Sequence, residues 1–340
     1  MINSVTLNES LSIPKILENF NNNDKNPYLE IKKILSNKKI QYIVTIARGS
    51  SDSAALFSSY LFAKFLNLPT YSLPPSIITL ENSKFDFSQA LVIVISQSGL
   101  SKELIYCEKK CRSMGAKTIV LSNNLKSSFS KKCNYFLFLN SGKEFGVAAT
   151  KTFISTLLCI IKLIANISNN TKLINKAYDL PEIIDKEQDN SWNENILNNK
   201  ISNGFILSRG IGYALSTEIS LKFKELCQEQ IEPFSSAEVM HGPKSLIAKN
   251  FKVFTLSMIG KSGLHIEKSI NAIKKQSEFI YSIGPNNISK YSMPYKSTKF
   301  IELDSIVVMS KIYPLIIKYS LLKGLNPDKP RYLKKITNTY

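Results

Sequence analysis

Residues 91–101 read Leu91-Val92-Ile93-Val94-Ile95-Ser96-Gln97-Ser98-Gly99-Leu100-Ser101, an unbroken apolar run that stops at a hydroxyl-rich loop containing glycine. An aliphatic run this short, with no polar alternation and a turn signal at its end, reads as a strand buried on both faces. Ser101 to Met114 then follows helical periodicity. Working outward, Tyr42 to Ile46 reads as a strand entering Arg48-Gly49-Ser50-Ser51-Asp52-Ser53, and Ser53 to Leu66 as a helix. Thr118 to Leu121 and Tyr135 to Leu139 read as strands, and Phe153 to Ile167 as an apolar helix interrupted by Lys162. Strands alternating with helices predict an α/β fold: a parallel sheet with helices on both faces.

The second half repeats the first at an offset of 161 residues. Arg48-Gly49 matches Arg209-Gly210, Val92 to Ser96 with Gly99 matches Val253 to Ser257 with Gly260, and Ile119-Val120 matches Ile280-Tyr281. Three strands in one register predict two tandem copies of one domain. Each is expected to be a doubly wound, flavodoxin-like αβα sandwich, spanning 38–170 and 201–326. Around them lie an N-terminal extension, 1–37, with one or two peripheral helices, a polar linker, 171–200, and a tail, 327–340.

The formal charge of +18 raises the question of nucleic acid, but forty lysines against four arginines, scattered and without interleaved aromatics, predict no specific nucleic-acid partner. Five cysteines without C-x-x-C predict reduced thiols and neither a disulfide framework nor a zinc site. With no signal-like N-terminus and Phe153 to Ile167 too short to span a bilayer, a soluble cytoplasmic protein with no membrane partner is expected. No Walker motif and no complete G-x-G-x-x-G occurs, so neither a nucleotide cofactor nor a metal is indicated.

Both serine loops leave carboxyl ends of parallel strands and open helices. Free N–H groups and the positive end of the helix dipole favour an anion there, and phosphate is the expected ligand. The second copy has lost this loop, reading Ser257-Met258-Ile259-Gly260. It carries instead a helical stretch in which Glu218, Lys222 and Glu225 fall on one stripe bordering Leu215, Ile219 and Leu226. By spacing alone this is either a solvated face with an i,i+4 ion pair or a charged stripe looking into a cleft. His241, one of two histidines, follows before Gly242-Pro243.

The loops RGSS and SQSGLS, the segment Glu144-Phe145-Gly146-Val147-Ala148-Ala149-Thr150-Lys151-Thr152-Phe153, residues 205–246, and the ending Asp328 to Lys335 together resemble the sugar isomerase (SIS) family. Within it the chain resembles the isomerase half of glucosamine-6-phosphate synthase and, more closely, stand-alone glucosamine-6-phosphate deaminases, through RGSSDSAA, VAATKTF and LKKITNT. The resemblance runs from about Gln41 to the C-terminus. It implies that Ser96, Gln97, Ser98 and Ser101 hold a sugar phosphate, with Ser50, Ser51, Val147 and Ala148 near the sugar. It further implies Glu225 as proton shuttle with Lys222 beside it, His241 for ring opening, and Lys335 at the substrate carbonyl. The resemblance also implies a homodimer whose neighbouring subunit can supply the histidine. Ala149 departs from the serine usual in the synthase branch.

These residue types suit aldose to ketose chemistry. A carboxylate can move a proton between C2 and C1, a histidine titrates near neutrality, and a lysine can form a Schiff base or polarise a carbonyl. No cysteine precedes Cys107, so glutaminase activity is not expected. The expected reaction is glucosamine 6-phosphate and water to fructose 6-phosphate and ammonia. Galactosamine 6-phosphate or fructosamine 6-phosphate as substrate, or a non-catalytic sugar-phosphate sensor, are the alternative readings.

Overall fold

The structure is a computed structural model and describes residues 4–335 apart from 37–38, 82, 190–191, 193–196 and 198–202. The end of the LKKITNT motif, from Ile336, and much of the linker after Asp189 lie outside the described residues. In chain order the elements are α1 (Val5–Leu11), α2 (Ile13–Asn22), α3 (Tyr28–Ser36), β1 (Tyr42–Ile46), α4 (Ser50–Leu66), β2 (Thr70–Ser72), α5 (Pro75–Thr79) and β3 (Ala90–Ile95). Next come α6 (Lys102–Ser113), β4 (Lys117–Ser122), α7 (Ser128–Lys132), β5 (Tyr135–Phe138), α8 (Lys151–Ile167), α9 (Thr171–Tyr178), α10 (Leu180–Asp189) and β6 (Asn203–Ser208). The last are α11 (Ile211–Lys222), β7 (Gln230–Ser235), β8 (Lys252–Leu256), α12 (Lys261–Ile273), β9 (Phe279–Gly284), β10 (Tyr291–Pro294) and α13 (Ile301–Leu322).

The strands form two five-stranded, all-parallel sheets, ordered β2-β1-β3-β4-β5 and β7-β6-β8-β9-β10. A shift of five strands turns one order into the other. The glycines that open α4 and α11 share a conformation too, Gly49 at φ 58°, ψ −132° and Gly210 at φ 62°, ψ −140°. A side chain is disfavoured at that positive φ, so both turns call for glycine.

Contacts divide the chain into two compact units, neither of them continuous in sequence. The β1–β5 unit takes Lys15–Glu144, Lys151–Asp179 and the tail from Lys334; the β6–β10 unit takes the residues up to Pro14, Phe145–Thr150 and Leu180–Leu333. In the β1–β5 unit, Val92 and Val94 pack with Leu104, Cys107 and Cys111 of α6 and Ile78 of α5. Leu91, Ile93 and Ile95 alternate to the opposite face and are equally buried, with α4 and α8 on that side. Two covered faces explain why β3 shows no polar alternation. In the β6–β10 unit, α12 lays Ile266, Ile270 and Ile273 on Phe205, Leu207, Val253 and Ile280, while Phe223, Phe254 and Tyr281 form a ring stack with centroid distances of 5.3 and 4.8 Å.

Two expectations need correction. The N-terminal extension holds three described helices, and they are not peripheral: Ile13, Leu17, Phe20 and Ile31 are buried. The sequence singles out Phe153 to Ile167 as the segment to weigh as a span, but among the described helices it is α13 that is long and apolar enough, and it is mostly buried. Length and composition alone would let it cross a bilayer, yet it serves here as a core helix.

Lys162, the residue that interrupts α8, is buried in the β1–β5 unit. Its ammonium lies 2.8 Å from Asp24 Oδ2, donates to Asn21 Oδ1 at 3.3 Å, and sits 5.4 and 4.9 Å from the ring centres of Phe20 and Tyr178. The polar partners of Lys162 therefore come from the N-terminal extension, at the end of α2 and the loop after it. Asp24→Ala would leave a buried cation uncompensated and should cost about 3–5 kcal/mol in urea unfolding of the full chain, with Lys162→Met/Asp24→Leu recovering most of the loss.

All five cysteines are free thiols. Burial pushes Cys107 and Cys111 up to about 12 and Cys133 to about 11, and raises Cys159 and Cys227 as well. The thiolate is the reactive form. At pH 8 the native protein should therefore react slowly with a disulfide reagent, the partly exposed Cys133 first, whereas guanidinium-unfolded protein should titrate five thiols at once.

Candidate active site

In the β1–β5 unit the register pairs Ile46 with Val94, so β1 and β3 end side by side and their loops leave from neighbouring carboxyl ends. Ser50 and Ser51 are buried in the first turn of α4, and Ser96 is buried at the end of β3. Ser101 caps α6, its Oγ accepting from Leu104 N at 3.4 Å, and Ser98 Oγ accepts from Leu100 N at 3.2 Å. Capping thus occupies Ser101, and a local turn bond occupies Ser98. Gln97 Nε2 is buried and has no hydrogen-bond partner, the state expected of a donor that awaits an acceptor. Gly99, at φ 65°, allows the tight turn, and a Cβ there would stand 2.7 Å from Ser122 Oγ and 2.8 Å from Ser127 Cβ.

Two features of this loop pair escaped the sequence reading. Asn123 N donates to Gln97 O at 3.0 Å and Asn124 Nδ2 to Ser98 O at 3.0 Å, so the turn after β4 carries the serine loop on its back. Arg48 meets Glu103 in a two-pronged pair, Nη2 to Oε1 at 2.8 Å and Nε to Oε2 at 3.1 Å. The same unit holds Lys335, whose ammonium pairs with Glu144 Oε2 at 3.0 Å. Glu144 also accepts from Thr152 Oγ1 at 2.7 Å and Thr152 N at 3.3 Å, so one buried carboxylate caps α8 and holds the tail lysine.

The β6–β10 unit holds the other residues. Lys222 ends α11, fully buried, with Glu218 Oε1 at 3.6 Å and in direct contact with Glu225 Oε2. Tyr313 of α13 donates to Glu218 Oε1 at 3.0 Å. The stripe inferred from helical spacing is neither a solvated face nor the margin of a core: Glu218 and Lys222 are 0% exposed, and only Glu225, at 22%, reaches solvent. Glu218 and Lys222 lie in regular α-helix, where α13 packs against α11 and Tyr313 reaches Glu218; Glu225 lies beyond them in a π-helical turn, Phe223–Cys227, in which bonding runs i to i+5 and the 100° rule lapses. Its carbonyls are taken up by α13 side chains and the chain just beyond them, Ser320 Oγ donating to Leu226 O at 2.6 Å and Lys323 Nζ to Cys227 O at 2.9 Å. Cys227 Sγ donates to Ile316 O at 3.4 Å. Wide turns expose backbone acceptors, and here the carbonyls of Leu226 and Cys227 both find donors.

His241 ends a short 3-10 turn, Glu238–His241, after β7 and is exposed. Val147 and Ala148 lie in the segment Phe145–Thr150 that packs with the β6–β10 unit. Glu9 of α1 fixes the start of that segment, its carboxylate accepting from Phe145 N at 2.7 Å and Gly146 N at 2.9 Å. Ser50, Ser51, Ser96, Gln97, Ser98, Ser101 and Lys335 thus belong to one unit, and Lys222, Glu225, His241, Val147 and Ala148 to the other.

Comparison with known proteins bears on this arrangement. A SIS domain model matches residues 34–165. Glutamine–fructose-6-phosphate aminotransferase [isomerizing] of Methanothermobacter thermautotrophicus is 30% identical over 308 residues, covering 87% of this chain and 51% of that protein. The chain spans about half the length of the curated relatives it matches. The structure of the C-terminal domain of glucosamine-fructose-6-phosphate aminotransferase from Francisella tularensis superposes with a TM-score of 0.83 at 19% identity, over 96% of this chain and 98% of that one. Glucosamine-6-phosphate deaminase from Thermotoga maritima gives 0.77 at 20% identity, over 98% of this chain and all of the other. Residues 34–165 of this chain belong to the SIS domain family.

Proposed function

We propose that this chain is an aminosugar-phosphate isomerase and deaminase, converting glucosamine 6-phosphate and water to fructose 6-phosphate and ammonia. On this reading it is built of two tandem flavodoxin-like SIS domains and acts as a cytoplasmic homodimer. The observation that carries the reading is the Glu225 carboxylate, one oxygen against the buried Lys222 ammonium and 22% of its side chain in solvent. Such a group is fixed in place yet open to substrate, as a proton shuttle requires.

The serine loops retain the phosphate with neutral donors and helix N-termini. His241, the subunit's own or its neighbour's, moves a proton between the ring oxygen and the C1 hydroxyl, so that the ring opens to the C1 aldehyde. Glu225 removes the C2 proton, electrons pass through the enolamine towards the C1 oxygen, and the proton returns to C1. The Lys335 ammonium polarises the C1 oxygen during this step. The product imine at C2 takes up water, and the carbon–nitrogen bond breaks to release ammonia and the ketone. Proton transfer between side chains and substrate suffices for every step. The similarity to an isomerizing aminotransferase and to a deaminase supports the substrate class.

Glu225→Gln should lower kcat for ammonium release about 10²–10⁴-fold and abolish deuterium wash-in from solvent at C1 of the ketose, with little change in KM. Reaction of another phosphosugar amine while glucosamine 6-phosphate stays inert would move the substrate assignment. If the histidine comes from the neighbouring subunit, Glu225→Gln and His241→Ala proteins, each inactive alone, should regain turnover when unfolded and refolded together.

A further inference from the structure

We propose that Arg48 and Glu103 form a positioning clamp that holds the two serine loops in their anion-binding arrangement. The inference rests on the phosphate-holding role assigned to those loops above. Arg48 stands in the loop after β1, one residue before the positive-φ Gly49 that turns the chain into α4. Glu103 stands in the first turn of α6, directly after the serine loop of β3. Their two-pronged contact ties together the two helix starts whose N–H groups face any anion held there.

A simpler account makes Glu103 a complement to the α6 dipole and Arg48 an exposed surface partner of little worth. Burial argues otherwise. The Glu103 side chain is 6% exposed although Arg48 is 53% exposed, so the carboxylate is desolvated, and each of its oxygens accepts from the guanidinium. A buried carboxylate that loses its cation is costly, which makes the geometry of the pair a rigid constraint.

The second sheet supplies an internal control. It retains the arginine-glycine turn, as Arg209-Gly210 with the same positive φ, but the first turn of α12 carries no acidic residue. Ser262 stands beside Gly210 instead, its Cβ 3.8 Å from where a Cβ on that glycine would lie. The carboxylate occurs only in the sheet whose loop kept its serines. An arginine turn needed for folding alone would not require that coupling.

The clamp also makes a sign test available. Replacing Glu103 removes a negative charge beside the site, which by charge alone would tighten anion binding. A positioning role predicts the reverse. Inorganic phosphate titrated into full-length protein, followed by calorimetry and by ³¹P line width, should bind Glu103→Leu about tenfold more weakly than wild type. Arg48→Met should lose a similar factor, and Arg48→Met/Glu103→Leu no more than the worse single variant, because the pair acts as a unit. In turnover the same variants should raise KM for the sugar phosphate with kcat within about twofold. Glu103→Gln, which keeps one acceptor, should fall between and serves if the leucine variant does not fold. Equal or tighter phosphate binding by the Glu103 variants, or additive losses in the double variant, would overturn the clamp while leaving the loop assignment intact. Wild-type protein that takes no phosphate would overturn both.

Discussion

An ammonium withdrawn from water must be met by carboxylates, and Lys222 imposes that requirement on the whole β6–β10 unit. Taking an ion out of water costs several kcal/mol after relaxation, so Glu218 and Glu225 cannot drift from it without large loss. Glu218 is held in turn by Tyr313, and the π-turn that carries Glu225 is held by Ser320 and Lys323. Helix α13 is therefore more than apolar filler. It also receives α1 and α10, the latter through an ion pair between Glu187 and Lys311 at 2.9 Å. One charge buried at the end of α11 thus fixes the mutual placement of most helices in its unit.

Much of the architecture was legible because buried parallel strands advertise themselves: β1 begins and ends where its apolar run does, β3 and β5 deviate by one residue at one end, and β4 by one residue at each end. Short elements such as β2, α5 and α7 were not legible, since three to five residues give no period to detect. The serine loops could be placed from sequence because helix-start chemistry is local. The Arg48–Glu103 pair could not, because its partners are 55 residues apart and nothing in either motif announces the other. Glu144 was quoted within a motif but its hold on Lys335 spans 191 residues. The depth of the charged stripe was not legible, because Glu218 and Lys222 are covered by α13, whose Tyr313 is 95 residues from Glu218, and the 100° wheel fails only for Glu225 in the π-turn.

The two sheets show how one topology can be put to unlike chemical ends. Strand order, parallel pairing and the glycine turn after the first strand recur. The chemical groups differ: serines, Gln97 and a clamped arginine at strand ends in one case, a buried ion cluster in α11 with a widened turn after it in the other. Glycine at φ 65° and φ 84° stands in both second loops although only one of them carries the serine-rich sequence, so the same backbone turn presents different side chains.

The weave of the chain through the two units has a consequence for its handling. The gene halves are not the structural halves: α1, encoded at the start, and the hexapeptide Phe145–Thr150, encoded within the first sheet's segment, both complete the second sheet's body. Glu9 and Asp328 are the fasteners, the first gripping Phe145 and Gly146, the second receiving Ser4, Val5 and Thr6. A single cut in the linker would therefore part the second sheet from α1 and from Phe145–Thr150, which belong to its body, so the two sheets cannot be expressed as two consecutive pieces without leaving one of them incomplete.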